Sequence, residues 1–311
     1  MSLDKKQIES AVDSLVRQMQ TFLSELIQIP SEPGREKAAM DYIYDHLSKI
    51  STGRCNKVML SNSLRNDPDY SSPIPDIEYD GRYNIRFTHK ECGSGKKLLF
   101  NAHVDTVPPS EGMVSPYSGK IEDGIVWGRG ACDDKGSVAA IYLLFKSLEK
   151  LNVKLAGQLA AHLVVEEENG GNGSLAMARV GEKADGCIVM EPTEAKVLSS
   201  VRGAVWFKIK FFGKAGHSGQ AGKTQSALSM ARQAMIALEE YHKKLLAESK
   251  GIELFDKYDN PMPLTFGRLE AGNWPAAAPN FAILEGVLGF VPNKGKEQIC
   301  EEFEQVLLSR C

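Results

Sequence analysis

Apolar residues recur at helical spacing through residues 5–29 (Ile8, Val12, Leu15, Val16, Met19, Phe22, Leu23, Leu26), which predicts one amphipathic helix closed by Pro30. Residues 31–50 predict a second helix, with Ser31 or Glu32 near its start. Residues 51–82 are polar and rich in Ser, Asn, Asp and Pro, and read as loop with one weak strand. Short apolar runs at 84–88 and 98–102 then predict strands, separated by turn-forming residues 92–97. A small hairpin follows, 119–122 against 125–127, turning on Asp123-Gly124. From Lys135 the pattern becomes a long apolar helix, and then strand 159–165, helix 174–180 and strand 186–190. Strands separated by helices predict an open α/β sheet.

Near Arg202 the character changes. Val205, Phe207, Ile209 and Phe211 alternate along a strand at 204–212, followed by the loop GKAGHSGQAGKT and a helix at 225–246. Strands at 264–270 and 282–289 and a helix at 295–309 complete the order β-α-β-β-α. The α+β sandwich that begins in this order ends on a further strand, so the expectation is a second domain lacking its closing strand. The chain accordingly reads as two domains, residues 1–202 and residues 203–311.

Composition narrows the function classes. Of 311 residues 42% are hydrophobic and 25% charged, and the net charge of −3 comes from scattered Lys, Arg, Asp and Glu. That pattern gives no basic face for nucleic acid and none for an anionic membrane surface. No apolar run approaches the ~20 residues of a membrane span. The first residues read as an amphipathic helix rather than a signal peptide. Six cysteines stand far apart with no CxxC pair, so neither a disulfide framework nor a cysteine–zinc site is indicated. The expected setting is cytoplasmic.

The chemistry gathers at the ends of the apolar strands, where open α/β sheets place their sites. In KLLFNAHVDTVPP, read from Lys97, period two puts His103 and Asp105 on one side of the chain, and Pro108 and Pro109 end any pairing. His103 is a candidate metal ligand and Asp105 the carboxylate that steadies it. Asp133-Asp134 sit in GRGACDDKG at the entrance to a helix. Glu166-Glu167-Glu168 follow one strand directly, and Glu191 follows another. Carboxylates placed this close repel unless a cation neutralises them. One imidazole with several carboxylates suits Zn²⁺, Co²⁺ or Mn²⁺. A carboxylate bridging two ions, with a free Glu to shuttle a proton, is the arrangement for two-metal hydrolysis. His162 lies among apolar neighbours and reads as a packed core residue, as do Trp206 and Trp274.

Five motifs in order resemble the zinc-dependent amidohydrolases that include acetylornithine deacetylase, succinyl-diaminopimelate desuccinylase, aminoacylase and a glutamate-releasing carboxypeptidase. NAHVDTVP is similar to H-x-D-x-V-P, WGRGACDDKG to G-R-G-x-x-D-x-K-G, and VVEEENGGNGS to D-E-E-x-G-G-x-G-S with Glu166 in place of Asp. MEPT resembles E-P-T/S, and RGAVWFKIKFFGKAGHSG the lid's R-G…G-x-x-x-H-S. The resemblance implies a mixed-sheet catalytic domain sandwiched by helices, with a ferredoxin-like lid. It implies two Zn²⁺ per subunit: His103 and Glu191 on one, Glu168 on the other, and Asp133 bridging. Glu167 would be the general base, Asp105 would orient His103, and His217 in the lid would stabilise an oxyanion in a neighbouring subunit. Arg202 would meet a substrate carboxylate, and Asn273, in GNWPAAAPN, would line the pocket. The implied substrate is an N-acyl amino acid or dipeptide, and the implied assembly a homodimer through the lid.

Relatives of this kind return to the catalytic domain after the lid and supply a second metal-binding histidine, whereas no His follows His242 here. The expectation is one firmly bound metal at most and little activity in this shortened form. Two alternatives stand beside the deacylase reading: an exopeptidase or dipeptidase with the same catalytic set, and a non-catalytic binding protein.

Overall fold

A computed structural model describes residues 3–72, 76–90, 92–220 and 222–309. The chain divides into two compact units, residues 1–195 and 196–311.

Unit 1 opens with α1 (Lys5–Asp13) and α2 (Val16–Ile27). The single helix read over 5–29 is broken at Ser14, whose hydroxyl donates to the Ala11 carbonyl and caps α1. The second helix is shorter than expected: α3 spans Lys37–Leu47. Residues 31–36 form a turn, with Gly34 at φ +90° and the Arg35 amide donating to Glu32 O. The polar stretch after it holds β1 (Gly53–Met59) and one turn of 3₁₀ helix (Asn62–Asn66). Then come β2 (Tyr83–His89), β3 (Lys97–His103) and the hairpin β4 (Lys120–Glu122) and β5 (Ile125–Trp127). α4 (Lys135–Lys150), β6 (Gln158–Val164), α5 (Asn172–Arg179) and β7 (Gly186–Val189) complete the unit.

The main sheet has the order β1-β2-β6-β3-β7, antiparallel across β1, β2 and β6 and parallel across β6, β3 and β7. It is the expected mixed sheet. β6 is buried along six of its seven residues, so both its faces are covered. Phe22, Leu26, Ile27, Met40, Ile43, Ile85, Phe87, Ile141, Phe145 and Leu163 share one core of helix and sheet residues.

Two side chains fix how the chain leaves β6. Buried Asn84 accepts from the Val165 amide and donates to the Gly173 carbonyl, tying the end of β6 to the start of α5. Gly173 leaves no room for a side chain, since a Cβ there would lie 2.0 Å from the Val165 carbonyl oxygen. Gly173→Ala is expected to cost about 1–3 kcal/mol through overpacking, read as a lower urea midpoint with unchanged slope.

Unit 2 is α+β. β8 (Gly203–Phe212), α6 (Ala227–Glu248), β10 (Leu264–Ala271), β12 (Phe281–Phe290) and α7 (Lys296–Leu308) follow the predicted order. The short strands β9 (Gly216–His217) and β11 (Ala277–Ala278) pair with each other. The larger sheet is three-stranded, β10-β12-β8, and antiparallel throughout. Phe207, Phe211, Leu238, Leu284, Leu288, Ile299 and Phe303 form its core. Trp206 and Trp274 are 53% and 67% exposed, so neither is a core residue. Trp206 alternates with Phe207 on β8 and takes the opposite face, and Trp274 sits on the loop before β11.

Candidate metal centre

Because β6, β3 and β7 run parallel, their carboxyl ends emerge together, with His103 in register with Val164. His103 is the last residue of β3 and 2% exposed. Its Nδ1 lies 3.0 Å from the Asp105 backbone carbonyl, which leaves Nε2 facing the strand ends. Asp105 is wholly buried. Its Oδ1 accepts the Glu167 amide at 2.9 Å and its Oδ2 the Glu168 amide at 3.0 Å. One carboxylate thus holds both the segment beside the histidine and the acidic turn after β6.

Asp133 comes from the loop before α4. Its Oδ1 is 2.9 Å from His103 Nε2, and Glu167 Oε2 is 4.0 Å from the same nitrogen. The loop turns tightly at Gly130, at φ +85°, where a Cβ would lie 2.6 Å from a Thr106 methyl. Asp134, joined to Asp133 by a cis peptide bond, is buried and accepts the His103 amide at 3.2 Å. Lys135 is also buried and donates from Nζ to the carbonyls of Leu26, 3.0 Å away, and Ile29, 2.7 Å away, fastening the loop to the end of α2.

The donor atoms fall into two groups that share His103: His103 with Asp133 and Glu168, and His103 with Glu167 and Glu191. Within each group every donor lies within 4.8 Å of the others. Five side chains singled out in the sequence therefore converge, one imidazole and four carboxylates. Glu191 groups with His103, Asp133 groups with Glu168, and Glu167 stands among the donors as well.

The electrostatics fit a cation. Burial, and then the Asp133 charge, push the Glu168 carboxyl up to about 7. Burial raises Glu167 and Glu191 too, against a partial offset from His103. For His103, burial disfavours the charged ring, but hydrogen bonds to Asp105 and Asp133 prevail and carry it up to about 11. The imidazolium sets a positive charge among four carboxylates. A divalent ion at this place would take over that role and return the carboxylates to their charged forms. The donor set of one nitrogen and carboxylate oxygens suits zinc, manganese or cobalt.

These shifts give a pH profile for chelator-treated protein. Glu36, Asp134 and Glu168 all stand near 7 in the folded chain, burial being the first cause in each. The folded state therefore holds more protons than the unfolded one between about pH 4 and 7, and stability falls over that window. Above pH 7, Lys135, lowered to about 7 by burial, adds stability as pH rises. His103 removes stability as pH rises toward its folded value of about 11, so the two offset. The expected result is a Tm several degrees lower at pH 7.5 than at pH 4.5 without metal, by scanning calorimetry. A divalent ion at pH 7.5 should recover it.

The three remaining candidates lie in unit 2. His217 is exposed at the end of β9, and its Nδ1 accepts the Gly219 amide at 3.1 Å, which places the neutral ring's proton on Nε2. Asn273 is exposed on the loop before β11, and β11 pairs Ala277 with His217, so these two candidates share one edge. Arg202 is exposed and lines a cavity of about 410 Å³ with residues 197–201 and Leu254–Phe255.

His162 is buried as expected, but it is not simply packed. Its Nε2 lies 2.7 Å from Glu182, which also meets Arg86 at 2.9 Å and Lys97. Burial comes first in lowering its pKa. The sequence reading also missed a polar layer around the centre: the Glu36–Arg82 ion pair at 2.6 Å, and Glu166 with Tyr79 and Asn172. Their signals were two charged residues and a tyrosine in stretches read as helix and loop.

A probable carboxypeptidase of Aspergillus terreus is 28% identical over 259 residues, covering 81% of this chain and 55% of that protein. A succinyl-diaminopimelate desuccinylase of Wigglesworthia glossinidia brevipalpis is 33% identical over 184 residues, 55% of this chain and 47% of its own. The chain thus spans about half the length of these curated relatives. The solved dipeptidase Dug1p of Saccharomyces cerevisiae shares the fold, with a TM-score of 0.73 at 16% identity over 100% of this chain and 77% of that one. A match to the model for peptidase family M20/M25/M40 runs over residues 99–285, from β3 through every residue of the cluster and into β12, and the chain belongs to that family.

Proposed function

We propose that the chain is a metal-dependent amidohydrolase that cleaves the amide bond of an N-acyl amino acid. The observation that carries this is the convergence of His103, Asp133, Glu167, Glu168 and Glu191 at the carboxyl ends of parallel strands. His103, Asp133, Glu168 and Glu191 would hold the metal, two zinc ions per subunit being the arrangement the motifs resemble, with cobalt or manganese as substitutes. When bound, the metal polarises the scissile carbonyl and lowers the pKa of water. Glu167, more exposed than its neighbours and with a raised carboxyl, accepts the proton of the attacking water and returns it to the leaving amine. The Asp105 backbone carbonyl, bonded to Nδ1, keeps His103 turned so that Nε2 would be available to a metal.

Three further roles follow from the resemblance. His217, with the proton of its neutral ring on Nε2, would stabilise the oxyanion. Arg202 offers a planar fork to a substrate carboxylate, and Asn273 a polar contact. The division of labour is a catalytic domain of 1–202 and a lid of 203–311 through which a homodimer forms. The proposed setting is the cytoplasm, in keeping with six widely spaced cysteines that form no CxxC pair. No helix among the described residues is long and apolar enough to cross a membrane.

A second reading, an exopeptidase or dipeptidase, is favoured by the carboxypeptidase names of curated relatives. One experiment separates the two. Metal content is measured after loading with Zn²⁺, Co²⁺ or Mn²⁺, and hydrolysis is followed on N-acetyl and N-succinyl amino acids beside dipeptides. Release of acyl group with no dipeptide cleavage supports the deacylase, and the reverse supports the peptidase. A protein that binds no metal and cleaves neither overturns both.

A further inference from the structure

Three glutamates leave β6 in succession, yet only two of them join the metal centre. Glu166 is wholly buried and has φ +61°, a left-handed backbone that an L residue adopts only when its surroundings hold it there. Its Oε1 accepts the Tyr79 hydroxyl at 2.9 Å and the Asn172 amide nitrogen at 2.9 Å. Tyr79 is itself wholly buried and lies 3.2 Å from the Tyr70 hydroxyl. Asn172, the first residue of α5, is bonded in both directions to Ser71, at 3.0 and 2.8 Å. The Glu166 carbonyl accepts the Gly171 amide at 2.8 Å, and the Glu167 carbonyl the Gly170 amide at 3.2 Å, closing the turn.

We propose that Glu166, through Tyr79 and Asn172, is the positioning residue of the acidic turn, fixing where Glu167 and Glu168 present their carboxylates. Given the roles proposed above for those two residues, it sets the geometry of metal ligand and proton carrier together. The turn is gripped from two sides: Asp105 takes the amides of Glu167 and Glu168, and the Tyr79–Asn172 pair takes the Glu166 side chain. Packing alone does not explain a carboxylate here. Its Oε2 is buried without a hydrogen-bond partner among the described residues, so an apolar side chain of similar size would serve a purely filling role at less cost. What such a side chain would lack is the Oε1 acceptor that ties the turn to Tyr79 and α5.

The assignment predicts that the acceptor atom matters and the charge does not. In Glu166→Gln the amide oxygen can replace Oε1 and keep both bonds, whereas Glu166→Ala loses both and Tyr79→Phe loses one. Two measurements read this: Co²⁺ titration with the visible ligand-field bands, and amide hydrogen exchange across residues 165–171 in chelator-treated protein. In Glu166→Ala, Co²⁺ affinity is expected to fall about tenfold or more with shifted bands. The 167 and 168 amides should exchange about tenfold faster, with β3 and β6 unchanged. Tyr79→Phe should show a smaller loss of the same kind, and it decides the matter if the alanine variant does not fold. Glu166→Gln should stay within about threefold of the wild type on both readouts.

Wild-type Co²⁺ affinity and wild-type exchange in the alanine variant, or in Tyr79→Phe where that must stand in, would overturn the proposal. So would a glutamine variant as impaired as alanine, since charge would then be the operative property. If the parent protein binds no Co²⁺ but the exchange pattern appears, the positioning role stands and the metal-centre reading falls.

Discussion

Replacing Glu167 with glutamine should lower kcat by about 10²–10⁴-fold while leaving the metal content unchanged. The substitution keeps the shape of the side chain and removes its ability to take a proton. Asp133, Glu168, Glu191 and His103 stay in place around it, so the ion keeps its other donors. Metal content by mass spectrometry and steady-state kinetics on the same preparation check both halves. Loss of metal in step with activity would make Glu167 a ligand, which its membership of the His103–Glu191 group makes the specific alternative.

Asp105→Ala should be the most damaging change that touches no donor atom. The carboxylate accepts the amides of Glu167 and Glu168 and stands 3.5 Å from His103 Nδ1. Its removal strands two amide donors and takes a negative charge from beside the ring, whose Nδ1 bond to the residue-105 backbone carbonyl is kept; the change is expected to cost about 2–4 kcal/mol of stability and weaken metal binding about 10–100-fold. Asp105→Asn separates the effects. It keeps one acceptor oxygen and so should recover part of the stability in urea unfolding, while metal affinity stays low. Equal recovery of both would show that Asp105 acts on the ion only through the fold.

The longer strands and most helices were legible because burial imposes a period on the sequence, whereas the two-residue strands β9 and β11 lay in stretches read as loop. β3, β6, β7, β8 and β12 lie within about two residues of where the pattern put them. Periodicity failed where a local bond decides the outcome. The break between α1 and α2 comes at Ser14, inside an unbroken apolar stripe, and the late start of α3 follows from the turn at Gly34. The site residues were legible for a different reason: each stands next to an apolar strand or a glycine-rich loop, and parallel pairing does the gathering. Glu166 was not, because three identical side chains in a row carry no sign of which one turns inward. Tyr79 and Arg82, whose bonds reach the polar layer, lie in a stretch whose composition reads as loop. His162 looked apolar by its neighbours, since Glu182, its partner, is 20 residues away in the chain.

The β6-β3-β7 ladder also bears on when the centre comes into being. Lys97 pairs with Gln158 and Leu98 with Gly186, contacts that join distant parts of the chain and are slow to form. A hairpin such as β4–β5 closes early, but nothing it contains reaches an ion. The donors meet only after both crossovers have closed, so an ion added to refolding protein has no full site to grip until the sheet is nearly complete. Metal should therefore leave the folding rate almost unchanged and slow unfolding, lengthening the life of the native state instead of hastening its arrival.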